Sequence, residues 1–201
     1  MPVIEVRQQV VRTRALDFDA RALNTRVGNY MVSSTQRKIR EGKFAPNAPL
    51  TVAVKQNNRP LRDTGLLMSS ITHTPGEDCA RVGTNRAGAR LNHYGGSQRP
   101  KKGTWLWIPA GKETRSLLGK YDGTVSGVVS GLKRDGFTTW FRRGKGGCLC
   151  VFARKGKRGK VRLIFILKKM VKIPARPFLV YDDTDRKVIE AMALRMIGAK
   201  R

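Results

Sequence analysis

The sequence is poor in the residues on which catalysis and metal binding depend. Of its 201 residues, 14 are acidic, two are histidines (His73 and His93) and three are cysteines. Cys79, Cys148 and Cys150 form no CxxC pair, which argues against a disulfide framework and against a zinc site. On a strand, Cys148 and Cys150 would share a face and would not bridge easily. We therefore interpret the three cysteines as small, half-buried thiols.

Long hydrophobic runs are also missing. The densest run is the five residues 163–167, whereas a membrane-spanning helix needs roughly 20 apolar residues. The N-terminal residues alternate between apolar and polar and lack a basic stretch followed by an apolar one. The sequence therefore predicts no membrane partner and no cleaved signal peptide.

Candidates for a catalytic or metal site are weak. Asp182, Asp183 and Asp185 cluster, but carboxylates in this position are typical of a helix N-terminus, where they satisfy free amides. His93 has no HxxxH or HExxH spacing and is interpreted as structural. The glycine-rich residues 144–147 lack the GKS or GKT ending of a phosphate-binding loop. We predict no catalytic residue, no metal ligand, no cofactor and no enzymatic activity.

Positive charge is abundant and unevenly distributed. The chain has 41 Lys and Arg against 14 acids, a net charge of +27. Residues 99–172 contain 20 Lys and Arg against three acids, so +17 lies in 74 residues. A protein of this charge repels itself unless it meets a polyanion or an acidic partner. Nucleic acid is the first hypothesis and an acidic protein the second.

The pattern of apolar residues predicts an α+β fold with segregated helices and antiparallel strands. Predicted strands cover residues 3–11, 72–74, 79–82, 105–109, 138–142, 148–154 and 161–168. Predicted helices run from a cap at Asp17 or Asp19 to Gly42, over 66–71 behind a cap at Asp63 or Thr64, over 87–94, and from Asp182 or Asp183 to the C-terminus. Residues 44–60 are predicted to be an ordered loop, and 111–136 a mobile segment with one short helix at 114–118.

The most basic element is a predicted hairpin whose turn lies between the last two long strands. Its cations are Arg154, Lys155, Lys157, Arg158, Lys160 and Arg162. Gly156 and Gly159 exclude a helix there, and no aromatic residue lies within the turn, which argues against a base-stacking platform. Three readings remain open: sliding contact with DNA phosphates, docking of an acidic protein, and a solvated loop.

Several motifs resemble those of the phage virion morphogenesis (tail completion) family. Residues 59–71, RPLRDTGLLMSSI, match its L-DTG-L--SI signature. Other stretches resemble family motifs in the same order: 32–39, 44–55, 81–85 (RVGTN), 91–96 (LNHYGG), 99–103 and 173–179 (IPARPFL). Asn47 and Ala48 stand where the family usually has an aromatic residue, and Tyr94 where phenylalanine is commoner.

The resemblance implies a structural virion protein of a tailed bacteriophage, similar in fold to tail terminators and connectors. The expected fold is a small antiparallel β-sandwich or barrel-like sheet with flanking helices, in a single domain over 1–201 with a basic, glycine-rich insertion around 111–162. The expected assembly is a homo-oligomeric ring of about six copies at the head–tail junction. Its expected partners are the tail tube protein, head-side connector or adaptor proteins and the phage DNA in the lumen. It would assemble in the host cytoplasm.

Two sets of residues are candidates for the contacts of such a ring. The hairpin cations named above are the candidates for facing DNA in the lumen. Pro174, Arg176, Pro177 and Phe178 are the candidates for the contact between subunits, because two prolines in four residues stiffen the chain there. The alternative function is a nucleic-acid-binding protein that forms no ring and uses residues 154–162 as its site.

Overall fold

The computed structural model describes residues 2–7, 19–144 and 148–198. Its helices are α1 (Ala20–Glu41), α2 (Pro49–Lys55), α3 (Leu66–Ser69), α4 (Ala89–Tyr94), α5 (Lys112–Lys120), α6 (Val125–Arg134) and α7 (Asp183–Gly198). Its strands are β1 (Val3–Arg7), β2 (Thr72–Pro75), β3 (Cys79–Gly83), β4 (Gly96–Gln98), β5 (Leu106–Pro109), β6 (Phe137–Arg143), β7 (Leu149–Lys155), β8 (Arg162–Lys168) and β9 (Val171–Ile173).

The chain divides into two compact units. Unit 1 comprises residues 1–45, 59–95 and 174–201, and unit 2 comprises residues 46–58 and 96–173. Unit 2 therefore consists of one short and one long segment that are inserted into the sequence of unit 1. The single domain with an insertion around 111–162 stays a prediction.

Unit 1 is built on helix α1, and its sequence determines both ends of that helix. The Asp19 side chain accepts a hydrogen bond from the Ala22 amide at 2.8 Å, and Gly42 ends the helix with φ of +71°. Leu23, Val27 and Met31 recur every fourth residue and are almost fully buried, so they form one face of the helix. The predicted helix with its cap at Asp19 is confirmed, whereas Asp17 lies outside the described residues.

The sheet of unit 1 is antiparallel, with strand order β1-β3-β2. Helix α1 contacts β2, β3 and α7. At the crossing with β2, a Cβ on Gly28 would lie 2.3 Å from Nδ1 of His73, so only glycine permits this approach. The core here contains Ile71, Ala80, Val82, Phe178, Leu179 and Ile189 together with the buried face of α1. The predicted β2–β3 hairpin is confirmed, and of the strand predicted over 3–11 the described part is strand over 3–7.

Unit 2 contains a four-stranded antiparallel sheet, with order β5-β8-β7-β6, and a two-stranded pair, β4 and β9. Helices α5 and α6 cover one face of the larger sheet. The core there contains Val128 and Leu132 from α6 and Val151, Ala153, Phe165 and Leu167 from the strands. The predicted strands over 105–109, 138–142, 148–154 and 161–168 are confirmed to within a residue or so at each end.

Three local predictions are wrong. Residues 44–60 contain helix α2, which begins at Pro49, a residue favoured in the first helical turn. Residues 111–136 were predicted to be mobile, but they form two helices: α5 contains the short helix predicted at 114–118, and α6 was not predicted. Thr124 caps α6 by accepting the Gly127 amide at 2.9 Å, and the close approach of Gly131 to the Tyr121 ring anchors that helix. Helix α3 has Gly65, with φ of +82°, as its cap residue, where the sequence predicted Asp63 or Thr64.

The fold class is α+β, as predicted; of the residues that the structure describes, 41% are in helices and 24% in strands. The sheets are open, so the barrel-like alternative is wrong. Among the described residues, no helix combines the length and the apolar character that crossing a bilayer requires.

Candidate nucleic-acid and subunit interfaces

The positive charge is concentrated in unit 2. This unit has 21 Lys and Arg against three acids, a net charge of +18, whereas unit 1 has 20 against 11, a net charge of +9. Like charges gathered in one compact unit raise its self-repulsion and strengthen its attraction for polyanions. Unit 2 is therefore the better candidate for a contact with nucleic acid.

The predicted basic hairpin is present in unit 2. Strands β7 and β8 pair antiparallel, and the turn between them carries the cationic residues. The side chains of Lys155, Lys157, Arg158 and Lys160 are exposed. Within the described part of the chain none of these four makes an ion pair. We call these four residues the cationic tip.

Two glycines shape the cationic tip. Gly156 has φ of +61°, a conformation that side chains rarely adopt. A Cβ on Gly159 would lie 2.1 Å from the carbonyl oxygen of Lys155, which is backbone and cannot move aside. Glycine at both positions therefore permits a tight turn that places four cations close together.

Arg154, at the base of the tip, packs on aromatic rings. Trp140 and Phe152 are opposite each other on β6 and β7, with ring centroids 6.0 Å apart and nearly parallel planes. The Arg154 guanidinium carbon lies 6.0 Å from the Trp140 centroid. Its Nε is buried and donates no hydrogen bond within the described residues. The sequence predicts that no aromatic residue lies within the turn. Trp140 and Phe152 agree with this prediction, because they lie on strands β6 and β7.

One face of the β6–β7 pair combines these aromatic and basic residues. Cross-strand pairing places Thr138, Trp140 and Arg142 beside Arg154, Phe152 and Cys150 respectively. The alternate residues of β7, Val151 and Ala153, point into the core of unit 2. We call the face with Trp140 and Phe152 the aromatic–arginine face. The sequence alternation indicates that such a face exists, but the pairing register decides which residues of the two strands meet.

Arg162 is less available to an anionic partner than the four residues of the cationic tip. Its guanidinium lies 3.6 Å from the Glu113 carboxylate, and both side chains are more than half exposed. An exposed ion pair of this kind contributes up to about 1 kcal/mol. Arg162 is therefore partly neutralised, whereas the four tip residues are not.

The segment proposed for subunit contacts alternates between buried and exposed residues. Pro174 and Pro177 are exposed, while Arg176 and Phe178 are buried. The Arg176 amide donates to the Asn92 carbonyl at 2.9 Å, and its Nε donates to the Ala45 carbonyl at 2.7 Å. Burial lowers the pKa of Arg176. The segment is thus held to unit 1 through Arg176 and Phe178, and its exposed surface is formed by Pro174, Ala175 and Pro177.

His93 belongs to the same packing arrangement. Its ring contacts Phe178 edge to face, with centroids 5.1 Å apart, and burial lowers its pKa. Among the described residues, no group of three or more His, Cys, Asp or Glu side chains is arranged to hold a metal ion. His93 therefore has the surroundings of a residue in a core.

The acidic cluster at the start of α7 connects two helices. Asp185 has no exposed surface, and its carboxylate accepts hydrogen bonds from Ser34 at 2.6 Å and Tyr30 at 3.1 Å, both on α1. Lys38 lies 2.5 Å from Asp185 and 2.8 Å from Asp182. Asp182 also accepts the Asp185 amide at 2.9 Å, which caps the helix. The prediction of a helix N-terminus here is confirmed, but its bonds to α1 were not foreseen.

Electrostatics in this cluster favour the ionised forms of Lys38 and Asp182. Burial acts to lower the pKa of Lys38, but its hydrogen bonds and ion pairs with Asp182 and Asp185 outweigh this and raise it. The hydrogen bond from Lys38 lowers the pKa of Asp182, as does the backbone amide of Asp185. The cluster thus consists of charges that satisfy one another, an arrangement that stabilises the packing of α7 on α1.

A family model for the phage virion morphogenesis family matches residues 3–128 of this sequence. The chain belongs to the phage virion morphogenesis family. No curated protein and no solved structure shows a significant match. The membership confirms the resemblance and supports a role in building a phage particle. It is a family of morphogenesis proteins and is not known as an enzyme family.

The family motifs lie on short, defined elements. The DTG of residues 63–65 precedes α3, and its glycine supplies the left-handed residue from which that helix starts. Residues 81–83 end β3, and residues 91–96 contain the end of α4 and its stop at Gly95. The segment 173–179 and the basic hairpin lie beyond the matched residues.

Proposed function

We propose that this protein is a structural virion protein that forms a ring at the head–tail junction of a tailed phage. The ring caps the tail tube and joins it to the DNA-filled head, and DNA passes through its lumen. Family membership supports the role in morphogenesis. The observation that carries the DNA contact is the cationic tip, four exposed cations in one tight turn of the more basic unit.

The chemistry of the tip suits DNA that must move. Lys and Arg contact phosphates, which repeat along the duplex without regard to sequence. Exposed cations are screened by salt over about 8–10 Å, so they attract DNA without holding it in one register. Arg162 is paired with Glu113 and Arg154 packs on Trp140. Lys155 also lies over an aromatic ring, with its Nζ 5.9 Å from the Phe137 centroid. The other three tip residues, Lys157, Arg158 and Lys160, therefore supply most of the attraction.

The subunit contact is proposed for the exposed side of residues 174–177. Pro174 and Pro177 present a stiff, apolar surface with few conformations to lose on binding. Arg176 and Phe178 hold the segment in place from the buried side. In a closed ring this surface meets a different surface of the next subunit, because a cyclic contact is heterologous.

The ring is tested by imaging the necks of purified phage particles. Antibody or gold labelling of a tagged copy of this protein locates it, and averaging of the neck with imposed and unimposed symmetry counts the copies. We expect a closed ring of about six copies at the junction. Particles that lack the protein, or that contain a single copy, would contradict the proposal.

The DNA contact is tested by removing the charge of the tip. Replacing Lys155, Lys157, Arg158 and Lys160 by Gln should leave folding intact, because none of these side chains belongs to a core. Affinity for duplex DNA should fall, and the slope of log affinity against log salt should decrease by up to about 3–4. The measurement is a salt titration of binding by fluorescence anisotropy.

A matched variant separates the tip from net charge. Arg21, Arg26, Arg40 and Lys187 are exposed residues of unit 1, and their replacement by Gln removes the same charge elsewhere. This variant should retain more DNA affinity than the tip variant. Equal losses in both would show that the tip has no special role.

The aromatic–arginine face favours a second candidate function, that of a nucleic-acid-binding protein that forms no ring. Stacked aromatic residues with an arginine are typical of surfaces that bind single strands, and Trp140, Phe152 and Arg154 provide such a group. Under this alternative the protein would be a monomer or dimer in solution and would bind single strands more tightly than duplex. Mass by light scattering, with and without DNA, distinguishes the two functions.

A further inference from the structure

The thiols of Cys148 and Cys150 lie close to each other. Their sulfur atoms are 3.9 Å apart, although only one residue separates them in the chain. Both are reduced. A disulfide has a sulfur–sulfur distance of about 2.05 Å, so the two atoms must approach by about 2 Å to form the bond.

The pairing of β6 with β7 explains this proximity. Strand β7 begins at Leu149, and in the register of the pair Cys148 lies opposite Gly144, one step beyond the pairing of Arg143 with Leu149. Cys148 and Cys150 therefore share a face, as the sequence predicts, and their ability to bridge is what the test below examines. The Gly144 amide donates to the Cys148 carbonyl at 2.8 Å, which closes the base of the β6–β7 connection.

Gly144 leaves room for both sulfur atoms. A Cβ at this position would lie 3.1 Å from the sulfur of Cys148 and 3.1 Å from that of Cys150. Any larger residue would press on both thiols at once. The two sulfurs therefore share one small site, which lies against the backbone of Gly144.

The two thiols differ in exposure. Cys148 is half-buried, whereas Cys150 is 5% exposed. Burial and the neighbouring Cys148 raise the pKa of Cys150, so it remains a thiol at neutral pH. Arg142 is opposite Cys150 on the neighbouring strand. An oxidant from solvent reaches Cys148 first, and Cys150 is positioned behind it.

We propose that Cys148 and Cys150 form a reversible redox site in which Cys148 reacts with a peroxide and Cys150 resolves the product into a disulfide. In the first step the Cys148 thiolate attacks hydrogen peroxide, giving a sulfenic acid and hydroxide. In the second step the Cys150 thiol displaces that oxygen as water, and the sulfur–sulfur bond forms. Two thiols and one peroxide thus give one disulfide and two waters.

The consequence is protection of the thiols in unit 2. A sulfenic acid without a resolving thiol proceeds to sulfinic and sulfonic acids, which are in general irreversible. Closure of so short a loop constrains the unfolded chain little, so we expect almost no change in global stability. The inference is independent of the proposed ring, since it depends only on the contacts within the β6–β7 hairpin.

The test is peroxide oxidation of the full-length reduced protein, followed by alkylation and trypsin digestion. Both cysteines lie in the tryptic peptide 146–154, and Cys79 lies in the separate peptide 63–81. We expect peptide 146–154 to lose about 2 Da and to resist alkylation, with full reversal by dithiothreitol. The Cys79 peptide should remain alkylated, because Cys79 is buried in unit 1 beside Glu5.

The variant Cys150→Ser provides the control. Without the resolving thiol, Cys148 should gain one or more oxygens under the same peroxide treatment, and the loss of two hydrogens should disappear. Circular dichroism checks that the variant is folded. Sulfinic acid on Cys148 of the wild-type protein, a disulfide between two chains, or unreacted thiols in peptide 146–154 while a free thiol standard is consumed would each overturn the proposal.

Discussion

Asp185 shows what a single buried charge contributes to this protein. Its carboxylate has no exposed surface, and it bonds to Ser34, Tyr30 and Lys38, all on α1. Burying a carboxylate is costly unless each oxygen finds a partner. Asp185 therefore stabilises the packing of α7 on α1. In the sequence it is indistinguishable from Asp182 and Asp183, the other acidic residues at the start of the helix.

Replacing Asp185 by Ala should lower the free energy of unfolding by about 2–4 kcal/mol, because Ser34 and Lys38 would lose a buried acceptor. The measurement is urea denaturation followed by circular dichroism. Asp183→Ala is the matched control. Asp183 is 88% exposed in its ion pair with Arg186, so its replacement should change stability by less than about 1 kcal/mol. Similar effects of the two substitutions would contradict the role given to Asp185.

The extended segment 174–179 packs on unit 1 with some of its residues and exposes others to solvent. Alternate residues of an extended chain point to opposite sides. One side places Arg176 and Phe178 in unit 1, and the other presents Ala175 and Pro177 to solvent; Pro174, at the start of the segment, is exposed as well. Phe178, which the sequence suggested as a subunit contact, therefore has the surroundings of a core residue in this chain. Its role at the interface stays a prediction and would act through the position of the prolines.

Phe178→Ala should destabilise unit 1 by about 3–5 kcal/mol, since it removes a fully buried ring that packs on His93. Thermal and urea denaturation measure the loss. Pro177→Ala, on the exposed side, should change stability by about 0.5 kcal/mol or less but should weaken oligomer formation. If Phe178→Ala unfolds as the wild type does, the side chain is not part of the core.

At the scale of the whole molecule, charge is distributed by unit. Unit 2 has a net charge of +18 and unit 1 of +9. In low salt these like charges repel one another and oppose the compact state. A polyanion or added salt relieves that repulsion, so the stability of the protein and its binding of DNA are linked through the same charges.

The melting temperature of the free protein should therefore rise with sodium chloride up to a few tenths molar, over the range in which screening sets in. The variant that lacks the four tip charges should start from a higher melting temperature in low salt and gain less from added salt. Differential scanning fluorimetry at several salt concentrations measures both. An equal rise in melting temperature for the two proteins would show that the repulsion arises from charges outside the cationic tip.

Features that depend on neighbours along the chain could be predicted from the order of the amino acids. Helix α1 with its Asp19 and Gly42 caps, the β2–β3 hairpin, the basic β7–β8 turn and the family motifs all follow from local spacing. Apolar periodicity and capping are read from adjacent residues, so these predictions needed no tertiary contact. The net charge and the shortage of His, Cys and acidic residues are likewise properties of composition.

Contacts between residues that are distant along the chain could not be predicted in this way. Helix α6 is glycine-rich and weakly apolar, and it is anchored by Tyr121 against Gly131, a contact that local propensity does not contain. The stacking of Trp140 on Phe152 depends on strand register, and the bonds of Asp185 depend on α7 packing on α1. The approach of the Cys148 and Cys150 sulfurs depends on the β6–β7 pairing, which places both beside Gly144. Each of these contacts depends on how helices pack and how strands pair. The local sequence permits several packings and registers equally well, and the long-range contacts select one of them.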